Sequence, residues 1–239
     1  MVDFANMYIG GGCMGSGCVQ EEILFLVYPE LLFSLMLFPP MRDNESIIIA
    51  GAKRYSNSTG YAWSLKFLNE HEDTQELDSL SRIKRVFTAI DATYLFNEIE
   101  KVKQFTERLT LRELNKACIG FAGDKNESQD TTLKMDVSTG KWGCGAFNGN
   151  PEYKFLIQWI AASYNSRNMS FYTFDTKDCS NLEYLHNKYS GKLIKDLYSD
   201  ILEFSQYISK KWENIDELDF GTILYDNSDS ISKYLSNRL

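Results

Sequence analysis

Five glycines fall within eight residues, Gly10-Gly11-Gly12-Cys13-Met14-Gly15-Ser16-Gly17, between two apolar segments. A turn needs one or two glycines. This density is expected where backbone N–H groups must approach a ligand closely, which a missing Cβ permits. Val2 to Ile9 reads as the end of a buried strand running into the loop, and Gln20 to Phe38 as a helix broken at Pro29. The loop also satisfies G-x-G-x-x-G after a strand, the pattern of a dinucleotide-binding βαβ unit. That unit would start its helix inside the loop and reach a second strand, ending in an acid, about twenty residues on. Here the glycines continue to Gly17 and the next strand-like run begins only at Ser46, so the fit is poor.

That run, Ser46 to Ala50, has the β-branched composition of a parallel or central strand. Ile83 to Ile90, ending at Asp91-Ala92, and Met169 to Phe174 read as further strands. Helices are expected over Phe96 to Leu109, Leu111 to Phe121, Asn150 to Asn165 and most of Leu182 to Trp212. Asn150 would cap the third of these, with Pro151 at its first position. Asp124 to Gly140 reads as a long polar loop, and the tail after Trp212 as polar and weakly patterned. Strands alternating with helices define an α/β fold whose sheet is covered on both faces, with ligands at the carboxyl ends of its strands.

No linker divides the 239 residues, so one domain is expected over residues 1–212, with 213–239 as an unassigned tail. A net charge of −8 without a basic stripe argues against broad nucleic-acid binding. It leaves room for a polyanion gripped at one end by backbone N–H groups. Cys13, Cys18, Cys118, Cys144 and Cys179 are irregularly spaced, as reduced thiols of a nuclear or cytosolic protein are. With only His71 and His186 to complement Cys13 and Cys18, packed thiols outweigh a metal site. The longest apolar run, Ile23 to Pro40, is cut by Pro29-Glu30 into pieces too short to cross a bilayer, and reads as buried helix. The opening Met1-Val2-Asp3-Phe4 has no signal-peptide pattern.

Four segments carry candidate chemistry. At the end of the glycine loop stand Gln20-Glu21-Glu22, two adjacent carboxylates before an apolar helix. Burial and mutual repulsion would raise the pKa of one of them and keep it protonated as a general acid. The plainer reading, acids favoured by a helix N-terminus, has the greater weight from spacing alone. A second glycine loop, Gly140 to Gly149, precedes a helix and suits a diphosphate, although a simple connection is a fair competitor. Tyr61 and Phe174 could flank a base, but a single aromatic is more often core.

Together these segments resemble the poly(ADP-ribose) glycohydrolase family. The resemblance is carried by Val2-Asp3-Phe4-Ala5-Asn6 and by Gly10-Gly11-Gly12 with Gln20-Glu21-Glu22 seven residues later. It continues through Tyr55-Ser56, Thr59-Gly60-Tyr61-Ala62, Ala89-Ile90-Asp91-Ala92, Arg112-Glu113-Leu114-Asn115-Lys116-Ala117 and Trp142-Gly143-Cys144-Gly145-Ala146-Phe147, fading after Phe174. It implies an ADP-ribose-binding macrodomain, a mixed sheet sandwiched between helices with additional helices, working without metal or cofactor on poly(ADP-ribose) and releasing ADP-ribose. By resemblance, Glu22 protonates the leaving oxygen of a ribose–ribose bond and then deprotonates water. Glu21 and Asn6 hold ribose hydroxyls, Asp3 supports the catalytic loop, and Gly10, Gly11, Gly12 and Gln20 line the substrate. Gly143, Cys144, Gly145, Ala146 and Phe147 wrap the diphosphate near Tyr61, and Phe174 stacks on adenine.

Two departures stand out. Lys141 occupies a position where the family often has asparagine, and the family carries further sequence before the Val2–Asn6 strand. The rival expectation is therefore an inactive ADP-ribose reader. Keeping both acids favours the enzyme.

Overall fold

The computed structural model describes residues 1–123, 135–174, 179–212 and 230–237, and the chain forms two compact units. The first comprises Met1–Ala92 and Ile119–Val137, the second Thr93–Cys118 and Ser138–Leu239.

The first unit contains β1 (Val2–Asp3), α1 (Gln20–Val27), a 3₁₀ turn (Pro29–Phe33), α2 (Ser34–Leu37), β2 (Ile47–Gly51), β3 (Ser56–Thr59), β4 (Lys66–Glu70) and β5 (Ile83–Ala89). β5 is the middle strand of a sheet ordered β1-β5-β2, parallel to β1 and antiparallel to β2. β2 is therefore an edge strand among the described residues, not the parallel or central one its composition predicts. A β-branched run reports burial, and Ile47 is buried against α1 whatever its direction. The antiparallel edge also removes the dinucleotide-binding reading, since β2 pairs with neither the direction nor the neighbour a βαβ unit requires.

The strand before the glycine loop ends at Asp3, earlier than expected. Pro29 does end α1, and the chain continues as a 3₁₀ turn because proline cannot donate into the helix. Leu24, Phe25, Val27, Tyr28 and Leu31 pack with Ile47, Phe87 and Ala89, and Tyr28 meets Phe87 edge-on at 4.8 Å. The expectation that the whole run is buried fails on its other face, where Leu26, Phe33, Met36 and Leu37 are exposed. A helix laid on one sheet face can bury only one stripe. No helix among the described residues is long and apolar enough to cross a membrane.

The second unit contains α3 (Glu98–Lys103), most of α4 (Glu107–Ala122), most of β6 (Val137–Gly140), α5 (Pro151–Tyr164), β7 (Met169–Tyr172), α6 (Leu182–Tyr189), α7 (Ile194–Lys211) and α8 (Ile231–Ser236). β6 and β7 pair. The helix break falls at Gln104–Thr106, before the expected Thr110, and β7 stops short of Phe174. The Asn150 side chain accepts from the Tyr153 N–H at 2.9 Å, with Pro151 at the first turn, so that cap forms as expected. Leu156, Ile157 and Ala161 of α5 are fully buried, as are Ile201 and Phe204 of α7. Phe105 meets Tyr153 and Phe204 edge-on at 5.0 and 5.1 Å. Of the expected loop over 124–140, residues 124–134 lie outside the described residues, and its end forms β6. Residues 213–229 of the expected tail also lie outside them, while α8 buries Ile231 and Leu235.

Candidate active site

The glycine loop closes on the two acids that follow it. Glu21 accepts from the Asn6 N–H (2.9 Å, Oε2) and the Gly10 N–H (2.6 Å, Oε1). Glu22 accepts from the Gly12 N–H (2.9 Å, Oε1) and, within its own helix turn, from the Val19 N–H (2.9 Å, Oε2). Two loop N–H groups thus hold carboxylates. Gly11 sits at φ +49°, and a Cβ there would lie 2.6 Å from Glu21 Oε2 and 2.8 Å from Glu22 Oε1. The loop needs glycine because the acids fill the space a side chain would occupy.

Gln20 fastens this assembly to β1: its Oε1 accepts from the Phe4 N–H (2.8 Å) and its Nε2 donates to the Val2 carbonyl (3.0 Å). Its side chain therefore serves the fold on both ends. Asn6 uses its Oδ1 on the Tyr8 N–H (3.0 Å). Its Nδ2 has no partner among the described residues. The Tyr61 phenol oxygen accepts from the Gln20 backbone N–H, and burial, more than the Glu22 charge, raises its pKa. The Cys18 thiol donates to the Ala62 carbonyl at 3.3 Å, tying the two segments together.

Asp3, ending β1, is wholly buried, and its Oδ1 has no hydrogen-bond partner among the described residues. Burial first, then the charges of Glu21 and Glu22, push its carboxyl well above the usual range. Burial likewise raises Glu21 to about 7, against the pull of the Asn6 and Gly10 N–H bonds and with Glu22 and Asp91 adding to the rise. Asp91 follows β5, so the parallel pair β1 and β5 delivers two acids beside Glu21 from its carboxyl ends. Glu21 is 3% exposed and Glu22 9%, which leaves Glu22 the wider opening to solvent.

This arrangement has a consequence for stability. Folded Glu21 keeps its proton up to about pH 7, whereas the unfolded chain releases it near 4.5. Folding is therefore favoured at pH 4.5 and below, and stability declines as pH rises through that window. The displacement corresponds to on the order of 3 kcal/mol. Denaturant unfolding between pH 4.5 and 8 should show this decline, reduced in Glu21→Gln, with Asp3 supplying a residual slope of the same sign. Equal slopes in both proteins would show that Glu21 does not carry it.

In the second unit, the Gly143 to Phe147 loop is anchored at its rear. Leu95 N–H donates to the Phe147 carbonyl (3.1 Å), Asn148 Nδ2 to the Leu95 carbonyl (3.0 Å), and the Phe147 ring meets Tyr94 edge-on at 5.4 Å. The N–H groups of Gly145, Ala146 and Phe147 donate to nothing among the described residues. Gly145 and Ala146 are exposed. Three successive N–H groups without a partner among the described residues leave backbone donors for an anion. Cys144 directs its thiol to the Trp142 carbonyl at 3.5 Å. Phe174 is 82% exposed at φ +61°, so it is not core.

Sequence reasoning did not single out the buried cluster beneath this loop. Glu113 Oε1 accepts from the Thr93 N–H (3.0 Å), the Thr93 hydroxyl (2.7 Å) and Arg112 (2.8 Å), while Oε2 takes the Lys154 ammonium. Lys154 lies 4.0 Å from the ring centroid of the fully buried Trp142. The signal was a lysine inside an apolar helix, which burial makes tolerable only with a partner.

Comparison with known proteins first fixes the class: the family described as poly(ADP-ribose) glycohydrolase (PARG), Macro domain fold, matches residues 1–181. Poly(ADP-ribose) glycohydrolase 1 of Arabidopsis thaliana is 33% identical over 272 residues, covering 85% of this chain and 48% of its own length. Probable poly(ADP-ribose) glycohydrolase 2 of the same plant is 31% identical, covering 85% and 45%. Poly(ADP-ribose) glycohydrolase 1 of Caenorhabditis elegans is 38% identical over 182 residues, covering 72% and 23%. The chain belongs to the poly(ADP-ribose) glycohydrolase family. It spans less than half the length of these relatives.

Proposed function

We propose that this chain hydrolyses the ribose–ribose O-glycosidic bonds of poly(ADP-ribose), releasing ADP-ribose, with Glu22 as general acid and then general base. One observation carries the reading: the more open of two adjacent carboxyl groups, Glu22, is aimed by the Gly12 and Val19 N–H groups within a cluster of buried acids. Glu22 gives its proton to the leaving ribose oxygen as the C–O bond breaks toward an oxocarbenium-like centre. Its carboxylate then takes a proton from the attacking water, which restores the acid. Burial, with the charges of neighbouring acids adding to it, raises the Asp3 and Glu21 carboxyls and so favours their protonated forms beside Glu22.

Ionised Glu21 retains a second lone pair on each oxygen for ribose hydroxyls, protonated Glu21 offers them its O–H, and the Asn6 amide can donate to them. Asp3 supports the loop from beneath. Gly10, Gly11 and Gly12 present close backbone, and Gln20 positions the acids. The free N–H groups of Gly145, Ala146 and Phe147 suit the diphosphate, with Gly143 and Cys144 shaping their loop, and the exposed Phe174 ring suits adenine. Tyr61 borders Glu22.

Incubating the chain with automodified poly(ADP-ribose) polymerase should release ADP-ribose, read by chromatography. ADP-ribose should also raise the melting temperature more than NAD does, because it offers a free terminal ribose. Binding without release would make the chain a reader. Neither binding nor release would remove the assignment.

A further inference from the structure

Trp63 is 91% exposed, more than any other large apolar side chain among the described residues. A lone exposed aromatic is ordinary on a protein surface. The turn that presents this one is unusually well fixed. The Tyr61 N–H donates to Ser64 Oγ (3.0 Å), Ser64 Oγ donates back to the Tyr61 carbonyl (2.7 Å), and the Ser64 N–H donates to the same carbonyl (3.0 Å). Gly60 enters the turn at φ +80°, where a Cβ would lie 2.1 Å from the Ser64 carbonyl oxygen, so no other residue fits.

The residues before Trp63 are bound to the catalytic segment. Ala62 accepts from Cys18, and the Tyr61 phenol accepts from Gln20 and senses the Glu22 charge. Lys66 stands across the same hairpin end, paired with Thr59, exposed and without a hydrogen-bond or ion-pair partner among the described residues. An aromatic side chain on a fixed turn and a cation without a partner among the described residues, both at one hairpin end, match the base and diphosphate of one ADP-ribose unit.

Resting on the function proposed above, we infer that Trp63 and Lys66 form a second subsite for the polymer unit across the scissile bond from the one being released. Any bond that Glu22 cuts joins two such units, and the hairpin end that carries Trp63 and Lys66 is tied to the Glu22 segment through Ala62 and Tyr61, on the side where a neighbouring unit can be met. Trp63 stacks its adenine and Lys66 faces its diphosphate.

The test compares ADP-ribose with length-defined oligo(ADP-ribose) by calorimetry on Glu22→Gln, which prevents cleavage during the titration, with and without Trp63→Ala. Trp63→Ala should weaken oligomer binding by about 5- to 100-fold and ADP-ribose binding by less than about two-fold, as expected for one lost base stack. Trp63→Phe should recover most of the loss, and Lys66→Gln should reduce the salt dependence of oligomer binding. The unfolding midpoint should stay unchanged, since the side chain is solvent-exposed. Unchanged oligomer affinity in Trp63→Ala, or equal losses for both ligands, overturns the subsite while leaving wild-type cleavage to speak for the function. If Glu22→Gln binds neither ligand and wild type releases nothing, both readings fall.

Discussion

Replacing Glu22 with glutamine is expected to lower polymer hydrolysis by roughly 10²–10⁴, and further if both proton transfers depend on this one group. ADP-ribose affinity should remain close to wild type. Glutamine matches glutamate in size but has no acidic proton for the leaving oxygen and no carboxylate to accept one from water. The geometry adds a requirement to the experiment. Both Glu22 oxygens accept backbone N–H groups, from Gly12 and Val19. A glutamine must set its NH₂ against one of them, which costs about 1–3 kcal/mol if the loop cannot relax. The unfolding midpoint is therefore measured beside turnover, and activity is compared where both proteins are folded. Glu21→Gln should also reduce turnover, partly through weaker binding, because its assigned role is to hold the ribose. If both acids served only the helix N-terminus, both variants would show small stability losses and ordinary turnover. Wild-type turnover in folded Glu22→Gln rules the mechanism out.

Glu113→Gln should cost about 3–5 kcal/mol of stability, the usual penalty for removing one member of a buried ion pair. Glu113 receives four donors from Thr93, Arg112 and Lys154. An amide there offers one acceptor oxygen and turns an NH₂ toward groups that are themselves donors. The Lys154 ammonium, 3% exposed, is left without its anion against the Trp142 ring. Lys154→Met should cost less, since Glu113 keeps Arg112 and Thr93. In the double variant the losses should fall well short of their sum, because the stranded charge is gone. Urea unfolding of the four proteins gives the coupling directly. Additive losses, or a cost under about 1 kcal/mol for Glu113→Gln, would show that the pair does not hold this region. Trp142 immediately precedes the loop with the free N–H groups, so weakened ADP-ribose binding in the folded variant should accompany the loss.

Features decided within a few residues were legible. The cap at Asn150-Pro151, the break at Pro29 and β5 over Ile83–Ala89 follow from local backbone chemistry and composition. The β3–β4 hairpin was not. Ser56-Asn57-Ser58-Thr59 has no apolar alternation and β4 is exposed throughout, so the pairing leaves no periodic trace. The direction of β2 was equally silent, because a β-branched run buries its side chains in either orientation. Lys154 is a charged residue in an apolar helix that the sequence reading passed over, and its partner lies 41 residues away in the chain.

The glycine loop and Gln20-Glu21-Glu22 could be read together from the sequence because their contacts are close along the chain. Gly12 reaches Glu22 across ten residues and Gly10 reaches Glu21 across eleven. That spacing, with the resemblance it supports, determined where the acids are and which loop holds them. Only the tertiary structure decided what each acid experiences. The parallel pairing of β1 with β5 sets Asp3 and Asp91 beside Glu21, and burial then raises Glu21 to about 7. Desolvation and charge act through space, between groups whose separation along the chain says nothing of their distance.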